Sequence, residues 1–434
     1  LADRLLLSNP QHIACRNLHG SSPAFLIGAL LQQEMTRQLN HLVVCEDAEA
    51  AAYLHNTIES LTGALDLFYF PSSFKNKKNY RLLNSSHVML RTETLTRLTA
   101  TMGTGKKLII TYPEALFEKV VLPSTLSGNI IAIKAGDVLD LNGLLQTLVD
   151  KGFERTDFVY EPGQFALRGG ILDIYSFGNE KPYRVELFGN DVDSIRIFDP
   201  ETQMSERKLL QVSIIPNVDN RTDNGEKIPL LEFLPAGTVV WLQDWGFTRE
   251  RLQIQEEELE LFISTIAASP QAPANRKPGR GSARFAEEED EDKMEKTQVT
   301  PDEFVTAAEI EAGLGRFHLV EFGPGASGDG VDWPGASGDG MSSGDGRPGV
   351  AAPFVLEFHT RPQPAFNRQF DLLIKDLKSW EDKKYTLCLF AENPRQLERL
   401  RTIFEDLHAA VTFNPIPHSI HEGFIDDDLK LVCY

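Results

Sequence analysis

From Pro23 to about position 120, short apolar runs alternate with helix-length stretches, and this rhythm constrains the fold more than any other feature of the chain. A helical pattern over Pro23–Leu39 leads to the strand HLVVCED, and Asp47 is placed to cap the helix AEAAAYLHNTIESL. The strand LFYF follows, then HVMLRTETLTRL and KLIITYPEALFEKV. Strands and helices in alternation predict a parallel, doubly wound α/β unit. Between about 127 and 210 the texture changes. One helix, GLLQTLVDKG, precedes FALRGGILDIY, PYRVELF and DSIRIFD, strands separated by the turn-forming loops SFGNEK and GND. Such spacing predicts an antiparallel sheet built from hairpins.

The remainder is mixed. TVVWLQ reads as a strand and RERLQIQEEELELF as a charged helix. Residues 268–350 hold a Pro/Arg-rich piece, the acidic run Glu287–Asp292 and two copies of PGASGDG at 324–330 and 334–340. That composition cannot bury enough apolar surface to offset its ordering entropy, although EFVTAAEIEAGLGRFHLVEF is apolar enough to be ordered. From 353 onward VLEFHTR, FDLLIKDLKSWED, YTLCLFAE, PRQLERLRTIFEDL and LKLVCY predict a small α/β unit opening on a strand. A chain of 434 residues is in any case too long for one core, and three or four domains are expected.

The formal net charge is −20, yet residues 1–120 hold 12 Lys+Arg against 10 Asp+Glu, so positions 121–434 carry −22. Such a surface repels phosphate backbones and suits a protein partner better than DNA. No segment approaches the ~20 apolar residues of a membrane span. The first residues lack a basic stretch followed by an apolar one, so no secretion signal is expected. Cys15, Cys45, Cys388 and Cys433 form no C-x-x-C pair, which fits reduced thiols in a cytoplasmic protein. A start at Leu1 and an end inside a strand suggest a fragment of a longer chain.

A strand–loop–helix that binds nucleotide needs G-x-x-x-x-G-K-[ST]: glycines to bring backbone N–H groups to the phosphates, lysine for charge, a hydroxyl for magnesium. The corresponding place reads NLHGSSPAFLIGALL. In this degenerate loop (Gly20, Ser21, Ser22, Pro23 and Ala24) Gly20 survives, but Pro23 and Ala24 stand at the lysine and hydroxyl positions. Proline has no N–H and alanine no ligand atom, so ATP-Mg binding is not expected. MGTGKK at 102–107 lies after a helix and before a strand, the wrong order, and reads as a surface turn. The histidines form no triad or metal spacing, and no catalytic or metal site is expected.

In PYRVELF, alternation places Tyr183, Val185 and Leu187 on one face and Arg184, Glu186 and Phe188 on the other. Guanidinium, carboxylate and phenyl side by side are the types enriched in binding hot spots. Arg168 lies on the neighbouring strand, beside glycines that permit a close approach or a bulge. Spacing alone leaves a second possibility open. Arg184 and Glu186 could form an ordinary surface pair worth about 0.2–1 kcal/mol, with Phe188 at the rim of the core.

Residues 153–205, FERTDFVYEPGQFALRGGILDIYSFGNEKPYRVELFGNDVDSIRIFDPETQMS, resemble a segment of the bacterial transcription-repair coupling factors, with Ser176 in place of the usual proline and Leu187 in place of a common phenylalanine. The resemblance extends more weakly both ways, through GSSPAF and TRPQPAFNRQFDLL. It implies a multidomain α/β chain: a degenerate P-loop NTPase-like, UvrB-like module with an inserted α+β antiparallel-sheet domain, followed by a small α/β domain. The implied units are domain 1A (1–126, degenerate nucleotide-binding-like), domain 2 (127–210, UvrA-binding), domain 1B with the low-complexity linker (211–350) and domain 3 (351–434). It further implies a non-catalytic, UvrB-mimicking module that recruits UvrA to stalled RNA polymerase in nucleotide excision repair, with Arg168, Arg184, Glu186 and Phe188 as UvrA contacts. No cofactor is expected in this part. ATP, magnesium, RNA polymerase and DNA would be engaged only by domains beyond Tyr434. The alternatives are an active UvrB-like ATPase or helicase fragment, and a structural module bracing motor domains in cis.

Overall fold

The computed structural model describes the chain except residues 37, 64–65, 77–78, 101–106, 178, 180, 217–225, 269–293, 296–298, 324–325 and 327–352. The acidic run, the second PGASGDG copy, the first except Ala326, and MGTGKK except Lys107 lie outside the described residues.

The alternation at the start of the chain folds as a seven-stranded sheet. Its order is Phe354–Glu357, His12–Arg16, His318–Gly323, Val239–Leu242, His41–Val44, Leu108–Thr111 and Leu67–Tyr69, and every pairing is parallel. Strands buried on both faces read as continuous apolar runs; all four residues of LIIT and of VVWL are buried. The helix Ala48–Thr62 starts where its cap predicts, with the Ala50 N–H donating to Asp47 Oδ1 at 2.8 Å. Gly63, left-handed at φ 57°, ends it. Four of its strands thus come from before position 120 and three from after 238. The segment EFVTAAEIEAGLGRFHLVEF is ordered: its strand His318–Gly323 is wholly buried inside the sheet.

Between these halves lies a six-stranded sheet ordered Ser205–Leu209, Asp191–Phe198, Tyr183–Phe188, Ile171–Ile174, Gln164–Arg168 and Glu154–Arg155. All neighbours are antiparallel except the last pair. One face packs on the helix Leu141–Asp150 through Phe165, Leu172, Ile174, Val185 and Ile195. Ser176 is fully buried and its Oγ accepts the Ile215 N–H at 2.8 Å.

VLEFHTR departs from its expected role as one opening strand of the small unit. Phe354–Glu357 forms the edge of the large sheet, and only Thr360–Pro362 joins the small one. That small sheet is ordered Thr360–Pro362, Phe424–Asp426, Leu431–Cys433, Thr386–Phe390 and Asn414–Ile416, with helices Phe370–Asp382 and Pro394–Asp406 packed on it. No helix among the described residues is long and apolar enough to cross a membrane.

Candidate functional site

The second face of the six-stranded sheet concentrates the chemistry. Period-2 alternation brings Arg184, Glu186 and Phe188 to it, as the sequence pattern requires. Cross-strand register sets Asp173 opposite Arg184, Arg196 beyond Arg184 and Lys208 beyond Arg196. A two-residue hairpin at Gly169–Gly170 returns the chain between Arg168 and Ile171. Both glycines are dictated by geometry. Gly169 has φ 60°, and a Cβ on Gly170 would lie 2.7 Å from the Leu187 carbonyl oxygen.

Asp173 organises the face. Its carboxylate has no solvent exposure and accepts from two guanidiniums. Arg184 donates Nε to Oδ1 at 2.8 Å and Nη2 to Oδ2 at 2.9 Å, and Arg168 donates Nη2 to Oδ2 at 2.6 Å. A buried carboxylate is tolerable only when paired in this way. Arg184 also donates Nη1 to the Gln203 carbonyl at 3.0 Å and stacks 4.3 Å over the buried Phe198 ring. Hydrogen bonding to Asp173 holds its pKa above the ordinary guanidinium value. Arg168 stacks 4.2 Å over Phe158, which is partly exposed beside Tyr160.

The four residues singled out from the sequence therefore share one face but differ in availability. The Arg184 side chain is 14% exposed and committed within the chain, whereas that of Arg168 is 35% exposed. Glu186 is half-buried, accepting from Ser194 Oγ and lying 3.5 Å from Arg196. Phe188 is 82% exposed, one of the barest large apolar side chains of the chain. It stands at the tip of a hairpin, just past a register shift between Glu186 and Leu187. Spacing did not single out Asp173, Phe158 or Arg196. The signal available was the alternation in ILDIY, which puts Asp173 on the face shared with the cations. Arg168, Arg184, Arg196 and Lys208 thus share this face with the carboxylates of Asp173 and Glu186 and with Asp191, the cross-strand partner of Phe188.

The phosphate-loop remnant lies elsewhere, at the C-terminal ends of the parallel strands, where open α/β sheets bind ligands. Gly20 has φ 54°, Ser21 is the N-cap of the helix Ser22–Gln32, and Pro23 occupies its first turn. Ser22, Pro23 and Ala24 are buried. A cavity of about 390 Å³ adjoins Gly20 and Ser21, and carboxylates of Asp47, Glu49 and Glu422 line it. Burial, then Asp244 and Asp47, push the nearby Glu46 carboxyl above its usual range. The place is electrostatically poor for a polyphosphate. Among the described residues, no group of three or more His, Cys, Asp or Glu is arranged to hold a metal ion.

A family model described as "UvrB interaction domain" matches residues 131–219, the segment that builds the six-stranded sheet and carries all four singled-out residues. The transcription-repair-coupling factor of Staphylococcus epidermidis is 24% identical over 430 residues, covering 93% of this chain and 35% of that protein. Its counterpart in Bacillus subtilis is 33% identical over 154 residues (35% of this chain, 13% of that protein), and that of Haemophilus influenzae 27% over 198 (45% and 17%). The chain thus spans about a third of the length of the Staphylococcus epidermidis relative. Along nearly its whole length, then, the chain is similar to part of a transcription-repair-coupling factor, and within that likeness residues 131–219 match the UvrB interaction domain.

Proposed function

We propose that this region is a non-catalytic docking module that presents a UvrB-like surface to UvrA, drawing the repair machinery to stalled RNA polymerase. The observation that carries the reading is Phe188, 82% exposed at a hairpin tip, on the same sheet face as a guanidinium–carboxylate network inside the matched domain. A bare phenyl ring next to fixed charge is the composition of an interface anchor: the ring gains from burial, and the charges select the partner. Arg168 and Glu186 complete the contact, while Arg184 holds the sheet that displays it. This part of the protein uses no cofactor and works in the cytoplasm. ATP turnover, DNA translocation and contact with RNA polymerase belong to other parts of the full-length factor.

Size-exclusion co-migration of the chain with purified UvrA tests the proposal. Co-elution with UvrA is expected, and a separate run with UvrB distinguishes a direct partnership with that protein. Separate elution from UvrA, with co-elution of UvrB, overturns the assignment of partner.

A further inference from the structure

The phosphate-loop remnant is filled by the chain itself. The Ser21 N–H, which in a working loop would face a phosphate, donates to the Glu422 carbonyl at 3.0 Å, and the Glu422 N–H donates back to Ser21 Oγ at 3.2 Å. Contact at Gly20 is closer still: a Cβ there would lie 2.6 Å from the Gly423 carbonyl oxygen. Around this pair the two units interlock. The Tyr53 ring stacks on His421 with centroids 3.4 Å apart and planes 12° from parallel. Phe25 meets Phe390 and Phe424 edge-on at 6.0 and 5.1 Å. The Ser419 N–H donates to Ser60 Oγ at 2.8 Å. On the other side of the loop, Thr360 Oγ1 accepts the His19 N–H at 2.9 Å and donates to the Asn17 carbonyl at 2.6 Å.

We propose that the former nucleotide loop serves as an intramolecular socket, in which residues 418–423 of the small unit take the Ser21 backbone N–H and the close approach at Gly20 that a phosphate would have used, and lock that unit to the large sheet. Gly20 and the helix N-terminus suit this use because a peptide carbonyl, like a phosphate oxygen, needs an N–H donor and close backbone approach. Substitution of the lysine and hydroxyl positions removes only what a charged, metal-bound ligand required. The small unit thereby shares the rigid frame of the sheet from which the docking domain projects.

The test is hydrogen exchange on the full chain, comparing wild type with Gly20→Val and with Tyr53→Ala/His421→Ala. The first variant clashes with Gly423, and the second removes only the partly exposed stacked rings, so its fold is safe. Exchange of amides in 418–426 should accelerate at least about tenfold in both, while those of Leu387 and Leu389 in the small unit's core keep their wild-type rates. Unchanged exchange at 418–426 in both variants overturns the socket. A second arm adds Mg-ATP to each protein. No binding by any of them is expected, and binding by a socket variant overturns the proposal by showing a nucleotide site held shut.

Discussion

Arg184 grips Asp173 with two parallel hydrogen bonds, Nε to Oδ1 at 2.8 Å and Nη2 to Oδ2 at 2.9 Å, across neighbouring strands of the six-stranded sheet. Because the carboxylate is wholly buried, the pair belongs as much to folding as to recognition. Truncating Arg184 therefore tests two things together, whereas Phe188 is free of intrachain duty.

Asp173→Asn should destabilise the chain by about 3–5 kcal/mol, because two guanidiniums would then face a neutral amide in a site closed to water. Denaturant unfolding monitored at the 131–219 domain checks this. A loss below about 0.5 kcal/mol would show that Arg168 and Arg184 find solvent easily once the carboxylate is neutral.

Stability should fall on mild acidification. His41 is buried, with Nδ1 accepting the Trp241 indole N–H at 3.1 Å, and burial lowers its pKa from 6.5 to about 4. The unfolded chain binds this proton below pH 6.5 while the folded chain refuses it down to about pH 4. Folding stability from this group is therefore full above 6.5 and is lost as pH drops towards 4, by about 3 kcal/mol in all. His12, His55, His87 and His318 are shifted in the same direction by burial and add to the slope. His41→Leu should cost stability at pH 7 but flatten the decline between pH 6.5 and 4. Equal slopes in variant and wild type would contradict the assignment.

Millimolar Mg-ATP should leave the melting temperature unchanged, since a ligand that binds only the native state must raise it. The physical basis is the pair Pro23 and Ala24 at the positions where lysine and hydroxyl would be required. A saturable upward shift would revive the reading of an active nucleotide-binding fragment.

Much of the fold was legible because local pattern and tertiary role agree. Asp47 caps its helix, Phe370–Asp382 matches the amphipathic pattern residue for residue, and LIIT and VVWL are apolar because both sheet faces are covered. Alternation in PYRVELF correctly set Arg184, Glu186 and Phe188 apart from Tyr183 and Val185. It carried no information on how far each side chain reaches solvent. The burial of Arg184 comes from Asp173, eleven residues back, and from Phe198 on the next strand. Illegible too was the contact of Ser21 with Glu422, separated by 401 residues, because no local preference encodes a carbonyl arriving from another unit. VLEFHTR misled for a related reason. A short apolar run says strand without saying which sheet, and its two halves went to different ones.

The central claim is that the bare phenyl ring on the face of the Asp173 network is an anchor for UvrA. Titration calorimetry of UvrA against wild type, Phe188→Ala and Arg168→Ala measures it most directly, with the melting temperature of each protein recorded alongside. Phe188→Ala should weaken binding by at least about 2 kcal/mol, the scale of a hot-spot residue, with its melting temperature unmoved. Arg168→Ala should weaken it at least about tenfold. Wild-type affinity in both variants would contradict the account.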